Sequence, residues 1–292
     1  MQIIKKKTRL LILGANGMIG NGFIDSICKF DPSRYEIFGI VRDLKYKRLD
    51  SVKTVYVENI FINIDRLIGQ YKPDLIINCI GIVSQKFQKC NTSDIIKWNS
   101  LWPNILMENC INHNIKLLQI STDCIFDGVN GCYDENNQAY ASGLYGTSKR
   151  LGEISGKNVK TVRLSTIGFE DDEQKHGLLE WFLSQKTQVM GYEKVFYSGF
   201  ATSELYRVVD WVLMNWDVFE LAHIPGIKIN KYQLLKKISL IYGHDVDIQP
   251  ISFPKIDRSL ITINNLHNMI EFPNWDEQLV RLKKCNTRKV SI

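Results

Sequence analysis

The 292-residue sequence lacks the cysteine and histidine patterns that would indicate a cross-linked or metal-binding protein. Its seven cysteines are an odd number and include no C-x-x-C pair, so a disulfide framework is not expected and a reducing compartment is favoured. The five histidines are scattered without the spacing of metal ligands, so no metal site is expected.

Long hydrophobic runs are also missing. The apolar run near the start extends only from Leu10 to Leu13 before Gly14, which is too short for the hydrophobic region of a signal peptide. No stretch approaches the ~18 apolar residues that a spanning helix needs. We therefore expect a cytoplasmic protein with no membrane partner. Repeats, low-complexity segments and linkers are absent as well, so any two lobes are expected to pack firmly together.

Strong charge of one sign is absent. The net charge is +6, and much of it lies at the two ends of the chain. Nucleic-acid-binding proteins usually concentrate basic residues along one face, so no nucleic-acid partner is expected. A mild positive balance suits an anionic small substrate.

The first half of the chain contains buried strands that alternate with amphipathic helices. Strands are predicted at 8–13, 35–41, 52–57, 75–79 and 115–120. This alternation is typical of the α/β class with a doubly wound parallel sheet of the Rossmann type. We expect residues 1–168 to form an NAD(P)-binding Rossmann domain. Residues 169–292 are expected to form mainly a smaller α/β substrate-binding lobe, with some segments packing back on the first domain.

A glycine-rich turn follows the first strand and opens a helix. Its sequence is G-A-N-G-M-I-G at 14–20. Glycines allow a tight turn and close approach of a pyrophosphate, and the helix N-terminus supplies free N–H groups. The context of strand, turn and helix predicts dinucleotide binding. The turn residues expected to contact the cofactor are Gly14, Asn16, Gly17, Met18, Ile19 and Gly20.

Later strand ends add further candidate cofactor residues. Arg42 and Asp43 follow the second strand. An arginine there can accept the 2′-phosphate of NADP, and an acid can hold the 2′-hydroxyl of NAD. Because Arg42 comes first, NADP(H) is favoured, with NAD(H) left open. Outside the turn, the cofactor-binding candidates are Arg42, Asn59, Cys79, Gly81 and Lys149.

The stretch from 121 to 149 carries the candidate catalytic residues. Thr122 ends a strand, and Tyr145 and Lys149 stand four residues apart at the start of a helix, which places both on one helix face. Reduction of a ketone leaves negative charge growing on oxygen. Tyr145 can donate a proton to that oxygen, Thr122 can hydrogen-bond it, and Lys149 is expected to lower the pKa of the phenol.

These motifs together resemble the extended short-chain dehydrogenase/reductase superfamily. Within it, S-T-D-C-I-F-D-G at 121–128, Y-G-T-S-K at 145–149, L-G-E at 151–153 and R-L-S-T at 163–166 are similar to dTDP-4-dehydrorhamnose reductases. The resemblance implies NADPH-dependent reduction of the 4-keto group of a nucleotide-linked 4-keto-6-deoxyhexose, either a dTDP- or a UDP-sugar. It also implies that Lys149 holds the nicotinamide ribose. A homodimer is left open.

The residue after Thr122-Asp123 separates this chain from related enzymes. Nucleotide-sugar 4,6-dehydratases carry Thr-Asp-Glu, whereas this chain has Cys124, so elimination is not expected. This site also resembles that of GDP-4-keto-6-deoxymannose epimerase-reductases. In those enzymes such a cysteine transfers a proton at the carbon next to the ketone, and a histidine is its partner. Cys124 and His176 are therefore candidates for an alternative, bifunctional epimerase-reductase. A non-catalytic subunit similar to the methionine adenosyltransferase β subunit is a further alternative, against which the intact Thr122, Tyr145 and Lys149 set argues.

Candidate substrate residues occur in both halves. Arg163, Arg207 and Arg258 can each bind a diphosphate through bidentate pairing, and the sequence does not choose among them. Aromatic residues such as Trp181 and Tyr197 can stack on a base or sugar, or can belong to the core. The residues expected at the substrate are Thr122, Cys124, Tyr145, His176, Trp181, Tyr197 and Arg258.

Overall fold

A computed structural model describes residues 6–42, 52–170, 177–263 and 269–285. The strands in these ranges are β1 Thr8–Leu13, β2 Tyr35–Val41, β3 Lys53–Tyr56, β4 Leu75–Asn78, β5 Lys116–Thr122, β6 Val159–Leu164, β7 Thr166–Ile167, β8 Val189–Tyr192, β9 Val195–Ala201, β10 Leu221–His223, β11 Ile227–Asn230, β12 Ile248–Ile251 and β13 Ile256–Asp257.

The helices in the same ranges are α1 Met18–Phe30, α2 Ile60–Tyr71, α3 Thr92–Ile96, α4 Trp102–Asn112, α5 Leu144–Leu151, α6 Leu178–Ser184, α7 Leu205–Met214, α8 Lys231–Tyr242 and α9 Trp275–Cys285. A π-helical turn at Lys97–Leu101 joins α3 to α4. No helix in the described ranges is long and apolar enough to cross a membrane.

The central sheet has seven parallel strands in the order β10-β6-β5-β4-β1-β2-β3. Successive residues of β1 point to opposite faces, as strand geometry requires. Leu10 and Ile12 pack in a core with residues of α1 and α7, and Leu11 and Leu13 pack in a core with residues of α2 and α4. The predicted doubly wound Rossmann sheet is confirmed, and its apolar strands are covered on both faces.

The carboxyl edge of this sheet brings the candidate site together. In a doubly wound sheet, ligands bind outside the carboxyl ends of the strands where the strand order reverses. Here the reversal lies between β1 and β4. The turn after β1, the loop after β4 and the tip of β5 therefore lie side by side.

Two smaller sheets lie in the C-terminal part of the chain. β9 is flanked by β11 and β13 and also pairs with β7, and β8 pairs with β12. These strands share an apolar core with α6, α8 and α9. In contrast, β10 and α7 belong to the sheet and core of the first half. The substrate-binding role of residues 169–292 stays a prediction.

Candidate active site

The turn after β1 is compact because two glycines touch. Gly14 has a φ of +76°, and a Cβ built on Gly20 would lie 2.3 Å from the Gly14 carbonyl oxygen. The Gly17 N–H donates to the same oxygen at 3.0 Å. α1 begins at Met18 with no side-chain cap and no acidic residue in its first turn. Its N–H groups and positive dipole end therefore suit an anion.

The predicted residues of this turn are reached from outside to different extents. Asn16, Met18 and Ile19 are half-buried, and Gly17 is exposed. Arg42 is also exposed, directly after β2, whereas Asp43 lies outside the described residues. Asn59 is the N-cap of α2, where its side chain accepts from the Phe61 N–H at 3.1 Å. Their contacts with a cofactor stay predictions.

Asn99 connects the loop after β4 to α5, the helix that carries Tyr145 and Lys149. Its side-chain oxygen accepts from the Ile82 N–H at 2.7 Å, and its amide donates to the Ile82 carbonyl at 2.9 Å and to the Ser148 hydroxyl at 3.1 Å. A Cβ on Gly81 would lie 3.2 Å from the Asn99 oxygen and 3.7 Å from Lys149 Nζ. The backbone at Gly81 thus borders Lys149 directly.

The tip of β5 holds Thr122 in a fixed orientation. Strand β5 spans Lys116–Thr122, so Thr122 lies at its end, as predicted. The Thr122 hydroxyl donates to an Asp123 oxygen at 3.1 Å and accepts from the Cys124 N–H at 3.1 Å. The same hydroxyl interacts with the Tyr145 phenol. Two bonds to its own turn therefore aim Thr122 at the helix that carries Tyr145.

Tyr145 is half-buried in the first turn of α5. Burial raises the pKa of its phenol well above the ordinary value, with a further increase from Cys124, and the contact with Thr122 opposes this. The predicted lowering by Lys149 is wrong for this structure. Desolvation disfavours the phenolate, and the Lys149 ammonium is bonded elsewhere.

Lys149 lies on the side of the strand tip that faces the loop after β4. Its Nζ donates to the Ile120 carbonyl at 2.8 Å, and its side chain is buried. Burial lowers the pKa of Lys149 to about 8, partly offset by Glu153 and Cys79. Cys79 is half-buried, and burial raises the pKa of its thiol, while Lys149 acts in the opposite direction. The pair places an ammonium beside the loop that follows β4.

Two glycines press α5 against its neighbours. A Cβ on Gly146 would lie 2.6 Å from the Cys124 carbonyl oxygen, and one on Gly152 would lie 1.9 Å from the Asn99 carbonyl oxygen. Only glycine allows such close approach without a shift of backbone. The spacing between α5 and the tip of β5 thus depends on the glycine that follows Tyr145.

A buried ion pair braces the same region. Glu153 and Arg163 form two hydrogen bonds, of 2.8 Å and 2.7 Å, and both side chains are less than a tenth exposed. Glu153 also accepts from the Ser121 hydroxyl at 2.6 Å. Because its guanidinium is committed to Glu153 inside the core, Arg163 is wrong as a candidate for the diphosphate.

Around Asp123, at the strand tip, lie residues from distant parts of the chain. Asp123 is buried, and burial raises the pKa of its carboxyl, which Cys124, Thr122, Ser165 and Arg258 oppose. Burial and Asp123 raise the pKa of the Cys124 thiol to about 12.

Three more side chains share the electrostatic environment of Asp123: Tyr197, Lys231 and Arg258. Of the predicted arginines, Arg258 is the one near the strand tip, because Arg207 pairs with Glu204 at 2.8 Å on α7. The structure therefore brings Thr122, Cys124, Tyr145, Tyr197 and Arg258 together, with Lys149, Cys79 and Gly81 beside them.

Two predicted substrate residues make no described contact with this arrangement, and only one of them lies within the described residues. Trp181 is 38% exposed on α6, and no contact with the strand tip is seen among the described residues. His176 falls outside the described residues, so its role stays a prediction. Sequence reasoning missed Asp123 and Lys231 as site residues. Asp123 has a local signal as a polar residue between Thr122 and Cys124, whereas Lys231 has none.

Comparison with known proteins identifies a family. Residues 8–185 match the family model of the RmlD substrate binding domain. A dTDP-4-dehydrorhamnose reductase of Aggregatibacter actinomycetemcomitans is 32% identical over 230 residues, covering 75% of this chain and 73% of the relative. A probable low-salt glycan biosynthesis reductase of Haloferax volcanii is 31% identical over 106 residues, 35% of each chain.

Solved structures share the fold. A dTDP-4-dehydrorhamnose reductase from Bacillus anthracis in complex with NADP has a TM-score of 0.76 at 20% identity, covering 95% of this chain and 99% of that one. A UDP-glucuronic acid 4-epimerase from Bacillus cereus in complex with NAD has a TM-score of 0.71 at 15% identity, covering 95% and 96%. At these identities the likeness establishes the fold.

Proposed function

The chain belongs to the family of the RmlD substrate binding domain, and we propose that it reduces the 4-keto group of a nucleotide-linked 4-keto-6-deoxyhexose with NADPH. The observation that carries the proposal is the approach of the Thr122 hydroxyl to the Tyr145 phenol at the carboxyl edge of the sheet, with Lys149 beside them. The curated relative with 32% identity supports dTDP-4-dehydrorhamnose as the first substrate to test.

The residues after β1 fit a dinucleotide. Gly14 has a φ of +76°, Gly20 leaves no room for a Cβ, and the start of α1 is uncapped, so the backbone can hold a diphosphate. The exposed Arg42 suits the 2′-phosphate of NADP(H), and the NADP complex of the Bacillus anthracis protein supports this choice. Lys149 would hold the nicotinamide ribose. When bound, NADPH supplies the hydride.

The chain's own residues supply the proton. Because the pKa of Tyr145 is raised, its phenol stays protonated at neutral pH and is ready to donate. The Thr122 hydroxyl donates its one proton to Asp123 and accepts from the Cys124 N–H. It stabilises the ketone oxygen when substrate binding turns that proton from the Asp123 carboxyl toward the ketone. A hydrogen bond to the ketone oxygen strengthens as negative charge develops there, so it lowers the barrier to reduction. A contact that binds substrate and transition state equally well does not lower that barrier.

Reduction without epimerisation is the form we propose. Burial raises the pKa of the Cys124 thiol to about 12, which keeps it protonated at neutral pH, and this supports reduction as the first activity to test. The epimerase-reductase alternative with Cys124 and His176 stays a prediction, as do a regulatory role, a UDP-sugar substrate, a cytoplasmic location and a homodimer.

Turnover with a substrate panel tests the proposal. NADPH oxidation is followed with dTDP-4-dehydrorhamnose and with UDP-4-keto-6-deoxyglucose, and products are identified by mass spectrometry in deuterated solvent. We expect reduction of at least one ketone, with no solvent deuterium retained on ring carbon. Deuterium on a carbon next to the ketone would establish epimerisation. No turnover with any 4-keto sugar would overturn the proposal.

A further inference from the structure

Near Asp123 lie two polar side chains, Tyr197 and Lys231, that the proposed reaction leaves without a partner. The Tyr197 side chain is 6% exposed, and its hydroxyl is buried with no hydrogen-bond partner in the described ranges. Burial and Asp123 raise the pKa of this phenol, so it remains neutral. Leaving a buried hydroxyl unsatisfied is unfavourable, and in native proteins such a group calls for a specific explanation.

Lys231 adds a cation beside Tyr197. It is the first residue of α8, directly after the N-cap Asn230. Its Nζ lies 4.8 Å from the centroid of the Tyr197 ring, an arrangement that orients the ammonium without using its donors. Within the described part of the chain, the ammonium makes no hydrogen bond or ion pair that meets ordinary distance limits.

Lys231 interacts electrostatically with residues at the strand tip. Asp123 and Cys124 stabilise its charged form, while burial and Arg258 act against it, and the pKa of Lys231 is lowered. Arg258 is itself anchored by its Nε, which donates to the Phe126 carbonyl at 3.1 Å. Lys231 and Lys149 therefore have different charged neighbours: Asp123 and Cys124 act on Lys231, and Glu153 and Cys79 act on Lys149.

The chemistry of the two groups selects the kind of ligand. An ammonium offers three donors and no acceptor, and a phenol offers one donor and two lone pairs. Both are satisfied by an oxygen substituent of a sugar ring. Their common neighbour Asp123 bonds the Thr122 hydroxyl, which is the group proposed to meet the ketone. A ring whose ketone lies at Thr122 therefore extends toward Lys231.

We propose that Lys231 and Tyr197 bind an oxygen substituent of the substrate's hexose ring and so determine its orientation against Thr122 and Tyr145. This inference rests on the proposed function, since it assumes a nucleotide-linked hexose at the strand tip. Lys231 is a sugar-binding residue, distinct from any group that binds the nucleotide or its diphosphate.

Calorimetry with dTDP and with dTDP-rhamnose, the product of the proposed reduction, tests the inference. We expect Lys231→Met to weaken binding of dTDP-rhamnose by about 10- to 100-fold, the effect of losing one charged hydrogen bond, and to leave binding of dTDP within about twofold. Lys236→Met is the matched control, because Lys236 is an exposed residue of the same helix whose Nζ lies 5.6 Å from the Tyr232 ring centroid.

Tyr197→Phe provides a second test. It removes only a hydroxyl that has no described partner, so the melting temperature should not fall, while dTDP-rhamnose binding should weaken about 3- to 10-fold. In turnover, Lys231→Met should raise KM for the keto sugar with little change in kcat. Lys231→Arg should restore part of the lost affinity.

Several outcomes would overturn the inference. Equal loss of dTDP and dTDP-rhamnose binding in Lys231→Met would place Lys231 at the nucleotide. Rescue of Lys231→Met by Asp123→Asn would show that Lys231 merely balances the Asp123 charge. Unchanged affinity and KM in Lys231→Met, in an enzyme whose wild type reduces the ketone, would refute the inference alone. A wild type without turnover would refute the proposed function. If it also bound dTDP-rhamnose no better than dTDP, both would fall.

Discussion

Gly146 and Cys124 are in direct backbone contact: a Cβ at position 146 would lie 2.6 Å from the Cys124 carbonyl oxygen. This contact sets the distance between the helix that carries Tyr145 and the strand tip that carries Thr122. The geometry of proton donation therefore depends on a residue with no functional group of its own.

Gly146→Ala should separate the two hydroxyl-bearing elements. We expect kcat/KM to fall by about 100-fold, as a displacement of roughly 1 Å at a reacting centre can cause, and stability to fall by about 1–3 kcal/mol from overpacking. Gly143→Ala is the control, because a Cβ there meets no atom within 4 Å. Steady-state kinetics and urea unfolding measure both effects. Wild-type kinetics in Gly146→Ala would show that the contact does not matter.

The turn after β1 should be equally sensitive to a single methyl group. Gly20→Ala would bring a Cβ to 2.3 Å from the Gly14 carbonyl oxygen, so the turn must open and NADPH binding should weaken by about tenfold or more. Gly69→Ala, in α2 with open space around it, should bind NADPH normally and gain up to about 1 kcal/mol of stability. Fluorescence titration of NADPH distinguishes the two. Tight binding by Gly20→Ala would contradict the assignment of this turn.

Removing the charge of Glu153 should destabilise the fold. Glu153→Gln leaves the Arg163 guanidinium buried without its carboxylate, which costs about 3–5 kcal/mol. Asp276→Asn removes one partner of an ion pair that is 36% and 54% exposed, and its cost should be about 0–1 kcal/mol. Equilibrium unfolding in urea compares them. A loss below about 1 kcal/mol in Glu153→Gln would show that the buried pair does not brace the site.

The pKa of Lys149 predicts a loss of cofactor binding in mild alkali. With a pKa of about 8, the ammonium is about nine-tenths charged at pH 7 and about one-tenth at pH 9. NADPH affinity should therefore fall between these pH values, and Lys149→Met should lack this dependence. A flat profile in the wild type would refute the assignment.

The ionisation of Lys149 changes the free energy of unfolding with pH in the direction opposite to its effect on NADPH affinity. The folded-state pKa of Lys149 lies below its ordinary value, so the unfolded chain binds more protons between about pH 8 and 10. The contribution of this group to the free energy of unfolding therefore rises across that window. A fall in NADPH affinity there cannot come from unfolding linked to Lys149.

Local spacing made much of the fold and half of the site predictable. The turn at Gly14–Gly20 is one continuous segment between a strand and a helix, and Tyr145 and Lys149 share a helix face because they stand four residues apart. Such relations depend on the backbone alone. The alternating apolar strands likewise defined the sheet, because each must be covered on both faces.

The remaining features depend on which distant side chains meet. Lys231 shares the electrostatic environment of Asp123 because it directly follows β11, which pairs with β9, and no sequence pattern marks that meeting. The role of Arg163 was misjudged because its partner Glu153 lies at the end of α5 and both are buried. The direction of the Tyr145 pKa shift was wrong because it depends on burial and on the rotamer of Lys149, which bonds the Ile120 carbonyl.

The turnover of Tyr145→Phe with NADPH and the 4-keto sugar that the wild type accepts tests the central claim most directly. Phenylalanine keeps the ring and its edge contact with Phe87 but removes the donated proton, so kcat should fall by about 10²–10⁴-fold while NADPH affinity is unchanged. Tyr206→Phe, the same substitution on α7, should retain wild-type turnover. Wild-type kcat in Tyr145→Phe would contradict the account, since the proton would then come from another group.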